Sequence, residues 1–219
     1  MELRRRIISL RGHSPLRSDE KLLTYAHPDH EDRVITVVNP RLSNWPTEDT
    51  WHLFRAARTR ARLERELRRY RAVERNEPRH PPFIQQLFGM VETDLGRGLV
   101  AERLADPKDR PAPTLRSLVK RQGLTPEFRE AVSRFINEIT QRDLTIGELG
   151  VNNIVYASDR RGYSRLVLVN GLGSRSLLPF AVGSAARNRH RKIERLMAAL
   201  AALDASRSAA PRKRQIARG

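Results

Sequence analysis

The segment TIGELGVNNIVY, residues 145–156, places a carboxylate and two adjacent carboxamides just before a short apolar strand. These polar residues are Glu148, Asn152 and Asn153. A carboxylate can accept the proton of a substrate hydroxyl, and an amide oxygen can hold a divalent cation. Polar groups often converge on a ligand at strand ends, because a rigid scaffold positions such loops. The segment is therefore the first candidate for a functional site.

The spacing of these residues matches a known arrangement for phosphoryl transfer. In the catalytic loop of protein kinases, an Asp accepts the substrate proton and an Asn five residues later holds magnesium, while the next strand ends in a metal-binding Asp. Glu148 and Asn153 have this spacing, and Asn170 follows the next apolar strand. Turn formation is the plain alternative, because Asn side chains bond local backbone and Asn-Gly is a common turn pair. We favour the ligand role for Asn153, and hold both interpretations open for Asn170.

The residues around this segment predict an α+β fold. Two β-branched runs, 21–27 and 33–39, are separated by the polar cluster PDHED and predict a hairpin. A helix is predicted from Glu48 to about Arg75, with apolar residues at three- and four-residue steps and Thr47 as its cap. The further predicted elements are strands over 81–92 and 98–105, helices over 114–123 and from Thr125 to about Asp143, a second hairpin over 152–158 and 164–171, and a helix over 178–203.

The composition limits the compartment and the partners. Lys and Arg total 42 against 25 Asp and Glu, which gives a formal net charge of +17. Such an excess favours contact with phosphates, nucleic acid or acidic partners, although charge alone does not define an activity. The chain has no cysteine and no apolar run near the roughly 18–20 residues that cross a bilayer. We therefore expect a cytoplasmic protein without membrane insertion.

Several segments, in order along the chain, resemble the family of the PhoP regulatory network protein YrbL, which has a compact kinase-like fold. The segments are AHPDHEDRVITVV (26–38), RELRRY (65–70), FGMVETDLGRGLVAERLAD (88–106), TLRSLV (114–119), LGVNNIVY (149–156) and LVLVNGLG (166–173). The resemblance covers most of the chain and implies a protein-kinase-like two-lobe fold. A small β-rich lobe with one long helix would cover residues 1–106, and a reduced helical lobe residues 107–203. The basic composition of residues 204–219 predicts a disordered tail.

The resemblance also implies roles for particular residues. Thr36 falls where a kinase has its phosphate-pairing Lys, and Glu66 falls where the helix Glu that pairs with this Lys would stand. Glu102 joins them in the implied cofactor-binding set. ATP and magnesium are the candidate cofactors that such a cleft implies. The positions of the catalytic acid, the metal-binding amide and the metal-binding Asp are taken by Glu148, Asn153 and Asn170.

Three of these positions depart from working kinase chemistry. The hydroxyl of Thr36 carries no charge with which to neutralise phosphates. Asn170 is a neutral ligand where a carboxylate would help to hold a divalent cation. Glu148 is one methylene longer than Asp, which displaces its carboxylate by about an ångström, and such a displacement slows reactions that depend on geometry. A glycine-rich phosphate loop is also missing, since the segment SLRGHSPLRS offers Gly12 alone. These departures predict a pseudokinase.

Three hypotheses about function follow. The leading one is a kinase-like regulatory protein that acts by binding a partner of still unknown identity. The second is a divergent active phosphotransferase, with Glu148 as base and another cation, for example Arg33 or a Lys such as Lys21, in place of the absent Lys. The third is a module that binds anions, an acidic protein or nucleic acid through the Arg-rich helices, in which case the affinity should fall steeply with salt.

Overall fold

The computed structural model describes residues 6–42, 51–77, 79–142, 148–159, 162–169 and 182–209. An antiparallel sheet forms the N-terminal part and helices follow it, which confirms the predicted α+β class. The described helices and strands are β1 (Arg17–Ser18), β2 (Leu22–His27), β3 (His30–Val38), α1 (Trp51–Asn76), β4 (Leu87–Thr93), β5 (Gly96–Glu102), α2 (Leu115–Gln122), α3 (Pro126–Thr140), β6 (Ile154–Ser158), β7 (Ser164–Leu168) and α4 (Val182–Ala209), with a short 3-10 helix at Pro40–Leu42.

The N-terminal sheet has the strand order β1-β2-β3-β5-β4, and each neighbouring pair is antiparallel. Successive residues of a strand point to opposite faces, so the sheet has two distinct apolar surfaces. On the outer face, Ile35 packs with Leu10 of the N-terminal segment. On the inner face, Val34 and Leu99 join the large core that includes α1 and the helical lobe. The inner face is therefore the one that meets the rest of the molecule.

The predicted strands are present, but several of their ends differ. Strand β3 begins at His30, so the first hairpin turns at Pro28 and Asp29 rather than over the whole PDHED cluster. Strand β4 begins at Leu87 and not at residue 81. Strand β1 was not predicted, because two residues are too few to display an alternating pattern.

Residues 83–85 pair with β7 of the second hairpin through an isolated parallel bridge between Ile84 and Leu168. Leu168 donates its backbone N–H to the carbonyl of Phe83 at 2.7 Å and accepts from the N–H of Gln85 at 3.0 Å. On its other side, β7 pairs antiparallel with β6. The apolar run 81–92 is thus divided between two sheets, which explains why a single strand over that run was wrong.

Helix α1 packs on the inner face of the sheet through a buried stripe that includes Leu63, Leu67 and Tyr70. The Tyr70 hydroxyl lies 3.1 Å from Nδ1 of His80, and Nε2 of His80 donates to the carbonyl of Ile84 at 2.8 Å. Burial raises the pKa of Tyr70 well above its ordinary value. These contacts hold the segment after α1 in place, and with it residues 83–85, which contact β7.

Threonine side chains cap the two central helices. Thr114 accepts from the N–H of Ser117 at the start of α2, and Thr125 accepts from the N–H of Phe128 at the start of α3. The predicted cap of the first long helix, Thr47, lies outside the described residues. The predicted buried side of α3 is confirmed for its residues Phe128, Val132, Phe135 and Ile139, while Ile136 is partly buried.

Helix α4 continues beyond its predicted end at residue 203. The prediction of a disordered tail is wrong for residues 204–209, which belong to this helix. The carboxylate of Asp204 accepts from the N–H of Leu124 at 3.0 Å and lies 3.8 Å from the guanidinium of Arg129. One polar residue thus attaches the helix end to the turn between α2 and α3, which composition alone cannot reveal. Residues 210–219 lie outside the described part of the chain.

One continuous apolar cluster joins the two lobes. It runs from Val34 of β3 and Leu63 of α1 to Phe135 of α3 and Leu200 of α4. Among the described helices, none is long and apolar enough to cross a membrane.

Candidate functional site

A cavity of about 170 Å³ lies where the inner face of the sheet, α1 and the second hairpin meet. We call it the interlobe cavity. Residues 103, 104, 111 and 112, which follow β5, close one side of it. Most of its wall is apolar and includes Val34, Leu99, Ala101, Leu104, Val155 and Leu168. A concave apolar site with a few polar groups is the usual form of a small-molecule site.

Thr36 lies in the wall of the interlobe cavity, on β3. It pairs with Thr24 of β2 on one side and with Leu99 of β5 on the other. Its Oγ1 lies 3.1 Å from Oγ1 of Thr24, so the two hydroxyls form one hydrogen bond. This part of the wall therefore offers neutral hydroxyls and no positive charge.

Glu66 of α1 lines the same cavity and is 4% exposed. Its position between Leu63 and Leu67 puts it on the side of α1 that faces the sheet. The structure thus brings Thr36 and Glu66 to one cavity, as the resemblance implied for a Lys and its Glu partner. With Thr at position 36, no ammonium from β3 can meet this carboxylate.

The two cations suggested as substitutes for the Lys do not reach this cavity wall. Arg33 is three residues from Thr36 and therefore points to the outer face of the sheet, where its guanidinium carbon lies 4.0 Å from the centre of the Phe88 ring. Lys21 is exposed in the turn before β2. Neither side chain contributes to the lining of the interlobe cavity. The suggestion is therefore wrong for Arg33, while a Lys such as Lys21 stays an untested candidate outside the lining.

Glu102 also lies in the cavity wall, at the end of β5. Its Oε1 is 2.8 Å from Nη2 of Arg165 on β7, and its Oε2 accepts from the N–H of Gln86 at 3.3 Å. Its carbonyl accepts from the side-chain amide of Gln85 at 2.9 Å. These bonds link the sheet to the second hairpin, so Glu102 has a structural role whether or not a ligand contacts it.

The loop before β6 brings Glu148 and Asn153 around one glycine. A Cβ placed on Gly150 would lie 3.5 Å from Oε1 of Glu148 and 3.7 Å from Nδ2 of Asn153. The carbonyl of Asn153 accepts from the N–H of Val169, a residue of the cavity wall, at 2.7 Å. The carbonyl of Val151 accepts from the N–H of Arg116, which attaches the loop to α2. The predicted acid and amide are therefore neighbours on a loop that is fixed beside the cavity.

The predicted metal position Asn170 lies outside the described residues. Within the described ranges, no group of three or more His, Asp or Glu side chains is arranged to hold a metal ion. Magnesium requires close to octahedral oxygen coordination, commonly with one or two carboxylates and the phosphates of a ligand. Of the predicted set, the described part of the chain supplies only the Glu148 carboxylate and the Asn153 amide. These residues alone do not fit a magnesium site.

Sequence reasoning missed three residues of the cavity region. Arg17 lines the cavity from β1, Gln85 lines it from the segment that joins β7, and Arg165 holds Glu102 from β7. Neither Arg17 nor Gln85 belongs to a periodic pattern that predicts burial. An Arg on a hairpin strand is a common solvent-facing residue, so Arg165 gave no signal either.

Comparison with solved structures defines the class of fold. The crystal structure of Rad53 1-466 in complex with AMP-PNP is similar over 90% of this chain and 51% of that chain, with a TM-score of 0.53 and 12% sequence identity. A medium-resolution structure of the bifunctional kinase-methyltransferase WbdD gives a TM-score of 0.44 at 13% identity, over 90% of this chain and 44% of that chain. The chain spans about half the length of the solved structures it matches. The protein has a protein-kinase-like fold.

Comparison of the sequence with family models identifies the family. The family model described as PhoP regulatory network protein YrbL matches residues 8–203, and the chain belongs to this family. This confirms the resemblance drawn from the six sequence segments. No curated protein matches the sequence.

Proposed function

We propose that this protein is a pseudokinase, a kinase-like regulatory protein that acts by binding and does not transfer phosphate. The observation that carries the proposal is the neutral wall of the interlobe cavity at Thr36. There the Oγ1 atoms of Thr36 and Thr24 bond to each other, in the cavity that also contains the buried carboxylate of Glu66. A kinase places an ammonium group here, which positions and neutralises the phosphates.

The loop before β6 supports the same proposal. Glu148 is exposed and has a side chain one methylene longer than Asp. Its neighbour Asn153 belongs to no described group of three or more metal-ligating acids or His residues. General base catalysis and metal binding both depend on placement to within about an ångström. A binding function has no such requirement, because the fold and the cavity suffice for it.

A phosphotransfer assay tests this proposal. The full chain is incubated with ATP labelled at the γ-phosphate and magnesium, and label transfer to protein and release of phosphate are both measured. We expect wild type to match the background of Asn153→Ala. Asn152→Ala is the matched control, since Asn152 is exposed on the same loop. Turnover in wild type and Asn152→Ala that disappears in Asn153→Ala would overturn the proposal in favour of a divergent kinase.

The exposed face of α1 favours a second candidate function, the binding of a polyanion such as nucleic acid. Helix α1 has nine Arg and no Lys. Of its three acids, Glu66 is buried, Glu64 lies 3.2 Å from Arg97 of β5, and Glu74 is exposed. Guanidinium groups suit phosphate better than ammonium groups, because they donate two parallel hydrogen bonds. The exposed members are Arg55, Arg58, Arg60, Arg62, Arg65, Arg68, Arg71 and Arg75.

Salt dependence separates this candidate from a merely solvated helix. Affinity for a labelled duplex is measured at several salt concentrations, for wild type and for Arg58→Glu/Arg62→Glu/Arg65→Glu. A triple change on α2, Arg116→Glu/Lys120→Glu/Arg121→Glu, alters the net charge equally. We expect a steep salt slope of about −0.9 per phosphate contact, lost only in the α1 variant. A flat slope, or equal loss in both variants, would reject the candidate.

A further inference from the structure

Three cross-strand neighbours place the positively charged side chain of one Arg at the interlobe cavity. Arg17 of β1 pairs with Thr24 of β2, and Thr24 pairs with Thr36 of β3. Directly opposite residues of antiparallel strands point to the same face of a sheet. All three side chains accordingly line the interlobe cavity. Since neighbouring strands lie about 4.8 Å apart, Arg17 stands roughly 10 Å from the position of Thr36.

The charge of Arg17 is available for a ligand. Within the described part of the chain, no acidic side chain pairs with its guanidinium, and the residue is exposed at the cavity rim. The other described Arg of the lining differs, because Nη2 of Arg103 lies 2.9 Å from Oδ2 of Asp109. The rim at β1 therefore offers a guanidinium that no described acid holds in an ion pair, two residues from the Asp19 carboxylate.

The acidic groups of the cavity are hydrogen-bonded or lie away from Arg17. Asp19 lines the same rim, and its Oδ1 accepts from the N–H groups of Lys21 at 2.8 Å and Leu22 at 2.7 Å. Glu66 approaches from α1 and would repel an anion that lay against Thr36. The carboxylate of Glu102 is engaged by Arg165 and by the N–H of Gln86. A phosphate group is therefore favoured near Arg17 and Thr24 and disfavoured near Glu66.

The size of the cavity agrees with a ligand that extends to the rim. Sites for small organic ligands commonly measure about 300–1,000 Å³, whereas this cavity measures about 170 Å³. Its apolar wall can accept a flat apolar group, and the rest of such a ligand would lie at the edge, where Arg17 stands. The hydroxyl pair of Thr24 and Thr36 lies between the apolar wall and the guanidinium and can donate a hydrogen bond.

We propose that Arg17 binds the phosphate chain of a ligand in the interlobe cavity, and that it does so without magnesium. The proposal rests on the proposed function, because it names the ligand class of the cavity through which a pseudokinase would act. Arg17 and the two threonines fit a phosphate group, whereas Glu148 and Asn153 do not form a metal site on their own. The cation that binds the phosphates is thus supplied by β1 rather than by β3. The phosphates therefore bind close to the rim of the interlobe cavity.

Calorimetric titration of the full chain with ATP, and separately with inorganic tripolyphosphate, tests the proposal. Each titration is run with magnesium and with a chelator. We expect binding that changes less than about threefold between these conditions and that weakens about tenfold or more in Arg17→Ala, because a charge-assisted hydrogen bond is lost. Arg17→Lys should retain part of the affinity. If ATP binds and tripolyphosphate does not, the ligand is a nucleotide. If both bind, the phosphate chain is the main determinant of affinity.

The control is Arg11→Ala, an exposed Arg of the same segment that is not part of the cavity lining. Failure of wild type to bind either probe, equal weakening in Arg11→Ala, or binding that requires magnesium would overturn the role of Arg17. These failures are distinct from failure of the proposed function, which is detected by phosphate transfer. A protein that transfers phosphate could still use Arg17, and one that binds no phosphate could still be non-catalytic.

Discussion

Arg165 of β7 and Glu102 of β5 form an ion pair across the two lobes, with 2.8 Å between Nη2 and Oε1. Nε of the same guanidinium donates to the carbonyl of Pro82 at 3.0 Å. Both side chains are less than one-third exposed, so solvent screens the pair less than it would a surface pair. One side chain therefore links the sheet, the segment before β4 and the second hairpin.

Replacing Arg165 should destabilise the fold more than replacing a surface Arg. We expect Arg165→Ala to lower the free energy of unfolding by about 1–3 kcal/mol, since the Glu102 carboxylate loses a charged partner. Arg134→Ala is the control, because Arg134 pairs with Glu130 on the surface of α3 and should cost less than about 1 kcal/mol. Urea unfolding measures both losses in free energy of unfolding. Equal losses would show that the cross-lobe pair stabilises the protein no more than the surface pair does.

Gly98 of β5 leaves no room for a larger residue. A Cβ at this position would lie 2.6 Å from Cγ2 of Ile35 and 3.0 Å from Cγ1 of Val37, two branched side chains of the outer face. We expect Gly98→Ala to destabilise the protein by about 1–3 kcal/mol through overpacking. The cost should be smaller when Ile35→Ala is also present, and a double-mutant cycle measures the difference. Simple additivity of the two changes would contradict this explanation.

Asp94 should contribute to stability in a way that depends on pH. Its carboxylate accepts from the N–H groups of Leu10 at 2.7 Å and Arg11 at 3.1 Å and from Ser9 Oγ at 3.0 Å. The bond from Leu10, followed by that from Arg11, lowers the pKa of Asp94 below its ordinary value of 3.8. The stabilisation is therefore fully present above pH 3.8 and is lost as pH falls through the lower pKa of the folded state.

Asp94→Asn is the variant that tests this contribution. It should be less stable than wild type at neutral pH, and its free energy of unfolding should fall less steeply as pH drops below 3.8. Denaturant unfolding at a series of pH values provides the measurement. Parallel stability curves for the two proteins would mean that Asp94 does not titrate differently in the folded and unfolded states.

Asp204 should matter although it lies in the region predicted as a tail. In Asp204→Ala the N–H of Leu124 loses its acceptor, and we expect a cost of about 1–2 kcal/mol. Ser208→Ala, one turn further along α4, is the matched control because the Ser208 hydroxyl bonds only within the helix, to the carbonyl of Asp204. Thermal unfolding of both variants measures the two losses of stability. If Ser208→Ala loses as much stability as Asp204→Ala, the contribution assigned to the Asp204 contact is refuted.

The sequence predicted the elements that have a periodic pattern of apolar residues. It missed the features that depend on single contacts. The stripe of α3, the first hairpin and the joint placement of Thr36 and Glu66 follow from periodicity or from the family resemblance. The two-residue strand with Arg17 has no period to detect. Residues 83–85 read as part of the next strand, because the sequence does not indicate which partner an apolar run will pair with.

One error could have been avoided from the sequence alone. Arg33 and Thr36 are three positions apart, an odd offset, so they cannot share a face of a regular strand. The extension of α4 past residue 203 was missed because the composition of this segment indicated a tail, whereas in the structure Asp204 contacts the turn before α3.

The pairing of residues 83–85 with β7 has a consequence for fragments of the chain. The segment bonded to β7 of the second hairpin is supplied by sequence that precedes β4 and β5 of the N-terminal sheet. A fragment that begins after β5 would leave the N–H and the carbonyl of Leu168 without the partners that they have in the full chain. The second hairpin therefore does not carry all of its backbone bonds within its own stretch of sequence.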